Sequence, residues 1–205
     1  MPYIATRGPG RPPAAKAAET RERILRAARE VFSELGYDAA TFQAIAIRAD
    51  LTRPAINHYF ANKQRLLQYY FQVYWLWLAT YCQEEGKSLK DPLDRLRGDI
   101  RALCGTWPSA ARANTFEPAA LRELVINEGS KSFLHKDVDS DNELKLFKPY
   151  KDLCAHIARE VKAASPRARH ARSFATTLVE MAHSLEFAMH HLPALTELSA
   201  KKGRA

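Results

Sequence analysis

Three cysteines in 205 residues, Cys82, Cys104 and Cys154, are too few, too widely spaced and wrongly odd in number for a disulfide framework. None forms a Cys-x-x-Cys pair, so a stapled secreted module is excluded and reduced thiols in a cytosolic protein are expected. Two glycine patterns that carry chemistry are also missing. There is no glycine-rich phosphate loop and no Gly-x-Ser-x-Gly, which argues against nucleotide cleavage and serine hydrolysis. No apolar signal segment follows the N-terminus, and the longest aromatic-rich run, Tyr69 to Cys82, is too short and interrupted to span a bilayer. A cytoplasmic protein without membrane association is the expectation. Acid is absent from residues 1–18, which hold Arg7, Arg11 and Lys16 among the breakers Gly8, Pro9, Gly10, Pro12 and Pro13. Such a segment is expected to be a flexible basic arm, disordered by itself.

What is present is globular: 46% hydrophobic and 26% charged residues, with enough chain for one large or two small domains and a substantial core. The net charge of +8 is uneven. Residues 1–68 carry 11 Lys/Arg against 6 Asp/Glu, and residues 69–205 carry 20 against 17. The first third is the more basic part, as a phosphate-facing domain requires.

Within that third, Thr41 to Lys63 reads TFQAIAIRADLTRPAINHYFANK. Thr41 precedes Phe42, Ile45, Ala46 and Ala49, spaced as one helical face. Thr52 caps a second helix, and Pro54 falls in its first turn, where a missing N–H costs little. Ala55, Ile56, Tyr59 and Phe60 face inward; Arg53, Pro54, Asn57 and His58 face outward. Asn62 caps a third helix that begins at Lys63. Two short capped helices around a four-residue turn predict a helix-turn-helix whose second helix enters the major groove. Arg53 suits guanine or a phosphate, and Asn57 suits adenine. Lys63 at a helix N-terminus, with Tyr59 one turn earlier, suits a phosphate, although a plain solvated lysine is the alternative. His58 reads as a packed or phosphate-side residue. The piece Gly10-Arg11-Pro12 resembles a minor-groove arm; a solubilising tail is the other reading.

Residues 20–67 resemble the DNA-binding domain of the TetR (tetracycline-repressor) family of bacterial regulators. The resemblance rests on ILRAAREVFSELGYDAAT, then Ile45-Ala46, Ala49, His58-Tyr59-Phe60, Lys63 and Leu66-Leu67. Asp50 stands where the turn commonly has glycine, Pro54 replaces a commoner small residue and Asn57 a commoner aromatic. The resemblance implies an all-α chain with a three-helix DNA-binding domain, residues 19–67, after the arm of residues 1–18. Residues 68–205 would then be a helical effector-binding and dimerisation domain.

Beyond the head, helix 1 is expected from about Thr20 to Leu35, closed by Gly36, and the aromatic fourth helix from Asn62 to about Glu85. Further helices are expected over Pro92–Trp107, Glu117–Asn127 and Asn142–Ala163, with a polar loop from Gly129 to Asn142. A last helix, capped by Ser165 with Pro166 first, should run to about His191. Its apolar residues cover more than one face, which predicts a homodimer. The DVDSDN piece lacks the glycine and the closing glutamate of a calcium loop. Ring density and helix face nominate Tyr74, Trp77, Tyr81, Trp107, Phe147 and His183 around a small hydrophobic or aromatic effector.

Glu180, His183, Glu186 and His190 share a helical face at di-metal spacing, but no second such pair exists, so neither a metal site nor a cofactor is expected. Three functions remain. The first is a ligand-responsive repressor of a double-stranded, palindromic operator. The second is a DNA-binding dimer without a small effector, and the third is a metal-dependent bundle enzyme.

Overall fold

The computed structural model describes residues 14–107 and 117–197. The arm residues Arg7 and Arg11 lie outside them. Every regular element among the described residues is helical, and the chain divides into two compact units, Met1–Tyr69 and Tyr70–Ala205.

The first unit holds α1 (Ala14–Ala39), α2 (Phe42–Arg48), α3 (Arg53–Tyr59) and the start of α4 (Lys63–Gly86). α1 begins earlier than expected because Ala14-Ala15-Lys16-Ala17-Ala18 is a strong helix-forming run. Thr20 therefore lies inside the helix, its hydroxyl donating back to the Lys16 carbonyl at 2.8 Å. Gly36, at φ 72°, breaks the helical path, and the helix resumes briefly to Ala39. Ile24, Leu25, Ala28, Val31 and Phe32, spaced as one helical face, are buried, as are Ile45, Ala46 and Ile56 on α2 and α3, whereas Leu35 is half-exposed; α1 packs on α2 and α2 on α3. Asn62 caps α4, its side chain accepting from the Arg65 N–H at 2.8 Å.

The second unit contains the rest of α4, then α5 (Pro92–Leu103), α6 (Pro118–Glu128), α7 (Val138–Glu143), α8 (Lys148–Ala164) and α9 (Ala171–His191). α8 packs against both α5 and α9, and α9 also meets α6. Leu78, Leu103, Leu121, Leu153, Ile157 and Val179 form its core.

Three boundaries in the second unit also differ from expectation, each for a local reason. α5 stops at Leu103 because Gly105 turns left-handed at φ 74°, with Thr106 N–H on the Arg101 carbonyl and Gly105 N–H on that of Ala102. Trp107 therefore follows the helix instead of closing it. The expected loop and long helix around residue 142 become two helices. α7 ends in the same kind of cap, with Lys145 left-handed at φ 60°, and Pro149 then sits in the first turn of α8. α9 starts at Ala171 and not at Pro166. Arg167 and Arg169 would put positive groups on the end of the helix dipole that repels them.

Candidate functional site

In the first unit the turn between α2 and α3 is held from both sides. Thr41 Oγ1 accepts the Ala44 N–H at 3.1 Å, and Thr52 Oγ1 accepts the Ala55 N–H at 3.3 Å. Asp50 takes the left-handed position at φ 50° that closes α2, with Leu51 N–H on the Ala46 carbonyl at 2.9 Å. Arg23, from α1, donates to the carbonyls of Ala49 and Asp50 at 2.7 and 2.9 Å. Arg48 braces the other side on Glu34 and Glu30, and its guanidinium holds the Glu34 carboxyl below its usual range. Neither arginine stood out in the sequence, because nothing in a helical pattern marks which surface arginine meets a turn.

This frame leaves one face of α3 open. Arg53, Pro54, Asn57 and His58 are exposed there, Tyr59 is half-buried and Ile56 is fully buried beneath them. The His58 and Tyr59 rings meet edge to face at 5.4 Å. Lys63 is placed differently from a solvated lysine. Its Nζ donates to the carbonyls of Tyr37, Asp38 and Ala40 at 2.5, 3.1 and 2.9 Å and sits over the Tyr37 ring at 4.3 Å. The ammonium thus closes the C-terminal end of α1, where the free carbonyls carry partial negative charge.

In the second unit the six nominated rings do not share one cavity. Tyr74 is fully buried, and its hydroxyl meets His183 Nε2 at 3.0 Å. Trp77 stacks on Tyr81 at 5.5 Å and meets Trp107 edge-on at 4.7 Å. Phe147 lies apart from these, against Phe133 at 5.6 Å. Tyr81 borders a cleft of about 460 Å³ together with Cys82, Arg95 and Asp99. Of the six, His183 alone borders the second hollow, which measures about 440 Å³ and lies within the range of small-molecule sites. Its walls are Trp75 of α4, Val125 of α6, Phe133, and Val179, Glu180 and Phe187 of α9. Trp75, Phe133 and Phe187 were not nominated: Phe133 falls in the stretch expected to be a polar loop, and Phe187 in the apolar surface expected to meet a second subunit.

His183 is fixed by its neighbours. The Val179 carbonyl, 2.8 Å from Nδ1, can only accept, so Nδ1 carries the proton and Nε2 accepts from the Tyr74 hydroxyl. Arg122 Nη1 lies 3.4 Å from the Tyr74 oxygen and pairs through Nη2 with Glu186. Burial first, and the Arg122 charge after it, lower the His183 pKa to about 4, so the ring is neutral at pH 7. Gly105 makes room for this arginine, since a Cβ there would lie 2.7 Å from Arg122 Nε. Glu180 accepts the Tyr150 hydroxyl at 2.5 Å. The acids and His183 of the metal-like pattern are thus engaged separately, and no three ligand-type side chains converge among the described residues.

Residues 24–70 match the family model described as bacterial regulatory proteins, tetR family. UidR, an HTH-type transcriptional regulator of Escherichia coli (strain K12), is 42% identical over 53 residues, covering 26% of this chain and 27% of that protein. BepR, an HTH-type transcriptional repressor of Brucella suis biovar 1 (strain 1330), is 48% identical over 54 residues, 26% of each chain. The chain thus spans about a quarter of the length of the curated relatives it matches. The fold is shared more widely. The fatty acid degradation regulator FadR from Bacillus halodurans superposes over 94% of this chain and 90% of its own, at 16% identity and a TM-score of 0.63. Among the described residues, no helix is long and apolar enough to cross a membrane.

Proposed function

We propose that this chain, which belongs to the tetR family of bacterial regulatory proteins, is a dimeric, ligand-responsive repressor that releases a palindromic operator when a small hydrophobic or aromatic effector binds. The observation that carries this reading is the open face of α3, with Arg53 and Asn57 presented to solvent on a helix capped and braced from behind. Arg53 and Asn57 read base edges, and Thr41, Thr52, Pro54, His58 and Tyr59 meet the sugar-phosphate backbone. Lys63 sets the start of α4 beside that backbone. Arg7 and Arg11 belong to an arm that follows the minor groove.

The second copy sits on α9. Phe174, Met181, Leu185 and Leu192 are exposed at spacings of seven, four and seven, which is one helical stripe. A two-fold pair of heads then reads half-sites roughly 34–36 Å apart. The effector occupies the hollow beside Trp75. α4 runs unbroken from Lys63 to Gly86, so the same helix carries Trp75 and Lys63. Effector binding acts by preferring the state in which the two heads are wrongly spaced for the operator. A DNA-binding dimer without an effector is the weaker reading, because the hollow is of ligand size.

Selection of bound duplexes from a random library tests the core of this. The expected product is an inverted repeat, and Asn57→Ala should relax preference at one base pair of each half-site. Duplexes enriched without symmetry, or no enrichment in dilute buffer, would overturn the proposal.

A further inference from the structure

The walls of the hollow beside Trp75 are unusually one-sided in charge. Rings of Trp75, Phe133, Phe187 and His183 surround it, with Asn127, Ser130 and Ser184 as neutral polar groups. Among the described residues that border it, Glu180 is the single acidic side chain and none is a lysine or an arginine. The nearest buried cation, Arg122, is matched by Glu186, and Lys131, beside Ser130 in sequence, lies 2.8 Å from Glu128. Trp75 is held in place by edge contacts with Tyr74, Tyr150 and His183, at 4.8, 5.1 and 5.1 Å.

From this arrangement we infer that the effector is a planar aromatic cation, received among Trp75, Phe133 and Phe187 with its charge toward Glu180. This rests on the proposed effector reading and narrows it. A carboxylate or phosphate guest would meet the exposed Glu180 carboxylate with no lysine or arginine among the described bordering residues to offset it. A cation gains twice, from the carboxylate and from the negative faces of the rings. The neutrality of His183 at physiological pH removes the one other group that would attract an anion. Glu180 keeps a free oxygen for this purpose, because the Tyr150 hydroxyl engages Oε1.

Equilibrium dialysis of the full chain against three fluorescent probes of similar size tests the assignment: ethidium (a cation), N-phenyl-1-naphthylamine (neutral) and 1-anilinonaphthalene-8-sulfonate (an anion). Ethidium should bind tightest. Glu180→Gln, which keeps an acceptor for Tyr150, should weaken it by roughly tenfold, the loss of one charge-assisted contact. Glu180→Lys should exchange the preference in favour of the sulfonate. Sulfonate binding equal to that of ethidium, or ethidium binding indifferent to Glu180→Gln, would overturn the cation assignment and leave effector binding standing. Failure of all three probes to bind would overturn both.

Discussion

The buried His183 makes acid the most informative perturbation of the second unit. Its imidazole is packed among Tyr74, Trp75 and Arg122, with Glu186 beyond the arginine, and its folded pKa is about 4. The unfolded value is about 6.5. The sign follows directly. Above pH 6.5 the ring is neutral in both states and contributes no pH dependence. As pH falls from 6.5, the unfolded chain takes up the proton and the folded chain does not, so stability declines. The decline stops near pH 4, where the folded ring also protonates. At about 1.4 kcal/mol per pH unit the whole loss is on the order of 3 kcal/mol, and about 2 kcal/mol of it falls between pH 6.5 and 5. Urea unfolding followed by tryptophan fluorescence reads this unit alone, because Trp75, Trp77 and Trp107 all lie in it. Carboxylates titrate mainly below pH 5, so the comparison is made between pH 7.5 and 5, with His183→Gln as control. The variant starts less stable, and its curve should be flatter by about 2 kcal/mol over that interval. Parallel curves for the two proteins would show that the imidazole is not held neutral, and the reasoning from burial would fail.

Other perturbations follow from single contacts. Lys63→Met removes the ammonium from three carbonyls and should lower the stability of the head by about 2 kcal/mol in amide exchange. A salt slope of DNA binding shallower by about one would be the added mark of a phosphate contact, and unchanged stability would refute the capping geometry. Gly105→Ala should cost about 2 kcal/mol or more in the urea assay, from a left-handed residue with a Cβ and from pressure on Arg122. Asp50→Gly should raise the melting temperature of the head, since glycine adopts its φ without strain, the Arg23 bonds to the Ala49 and Asp50 carbonyls remain, and the exposed Arg23–Asp50 carboxylate pair that is lost, at 3.4 Å, contributes little. In the folded protein a disulfide reagent should label Cys104 alone, because Cys82 and Cys154 are buried and burial raises both their thiol pKa values. Three labelled thiols in the native state would refute that packing.

The head was legible because its constraints are local. Thr41, Thr52 and Asn62 act on backbone groups three residues away, and such caps are visible in the chain without knowledge of the fold. Apolar spacing did the same for Ile24, Ala28, Val31 and Ile45. It misled where helices met solvent: Leu35, Leu93, Ile100 and Leu144 fit a buried stripe yet remain well exposed, because periodicity gives a direction and not the partner waiting there. The nominated rings scatter for a related reason. Tyr74, Trp77 and Tyr81 were nominated by their density along α4, but Tyr74 is sealed by His183 and Arg122, and Trp77 and Tyr81 stack on each other. The walls of the hollow beside Trp75 come instead from Val125, Phe133 and Phe187, residues brought together from segments far apart in the chain.

Arg122 carries a further consequence for how the two units differ. A fold shared at 16% identity over 94% of the chain is one that tolerates extensive side-chain replacement. Arg122 is 4% exposed, and replacing a buried ion pair with apolar side chains is often neutral or stabilising. Breaking the pair from one side is another matter: Glu186→Ala should cost on the order of 3 kcal/mol by leaving the arginine charge unmatched. Replacing both, as Arg122→Met with Glu186→Leu, should restore most of that stability while removing the charge pair that stands behind His183. If the double variant is as stable as the original chain yet binds aromatic cations differently, then the pair serves the hollow and not the fold. If it is instead as unstable as Glu186→Ala alone, then packing around Tyr74 depends on the arginine, and its role is structural.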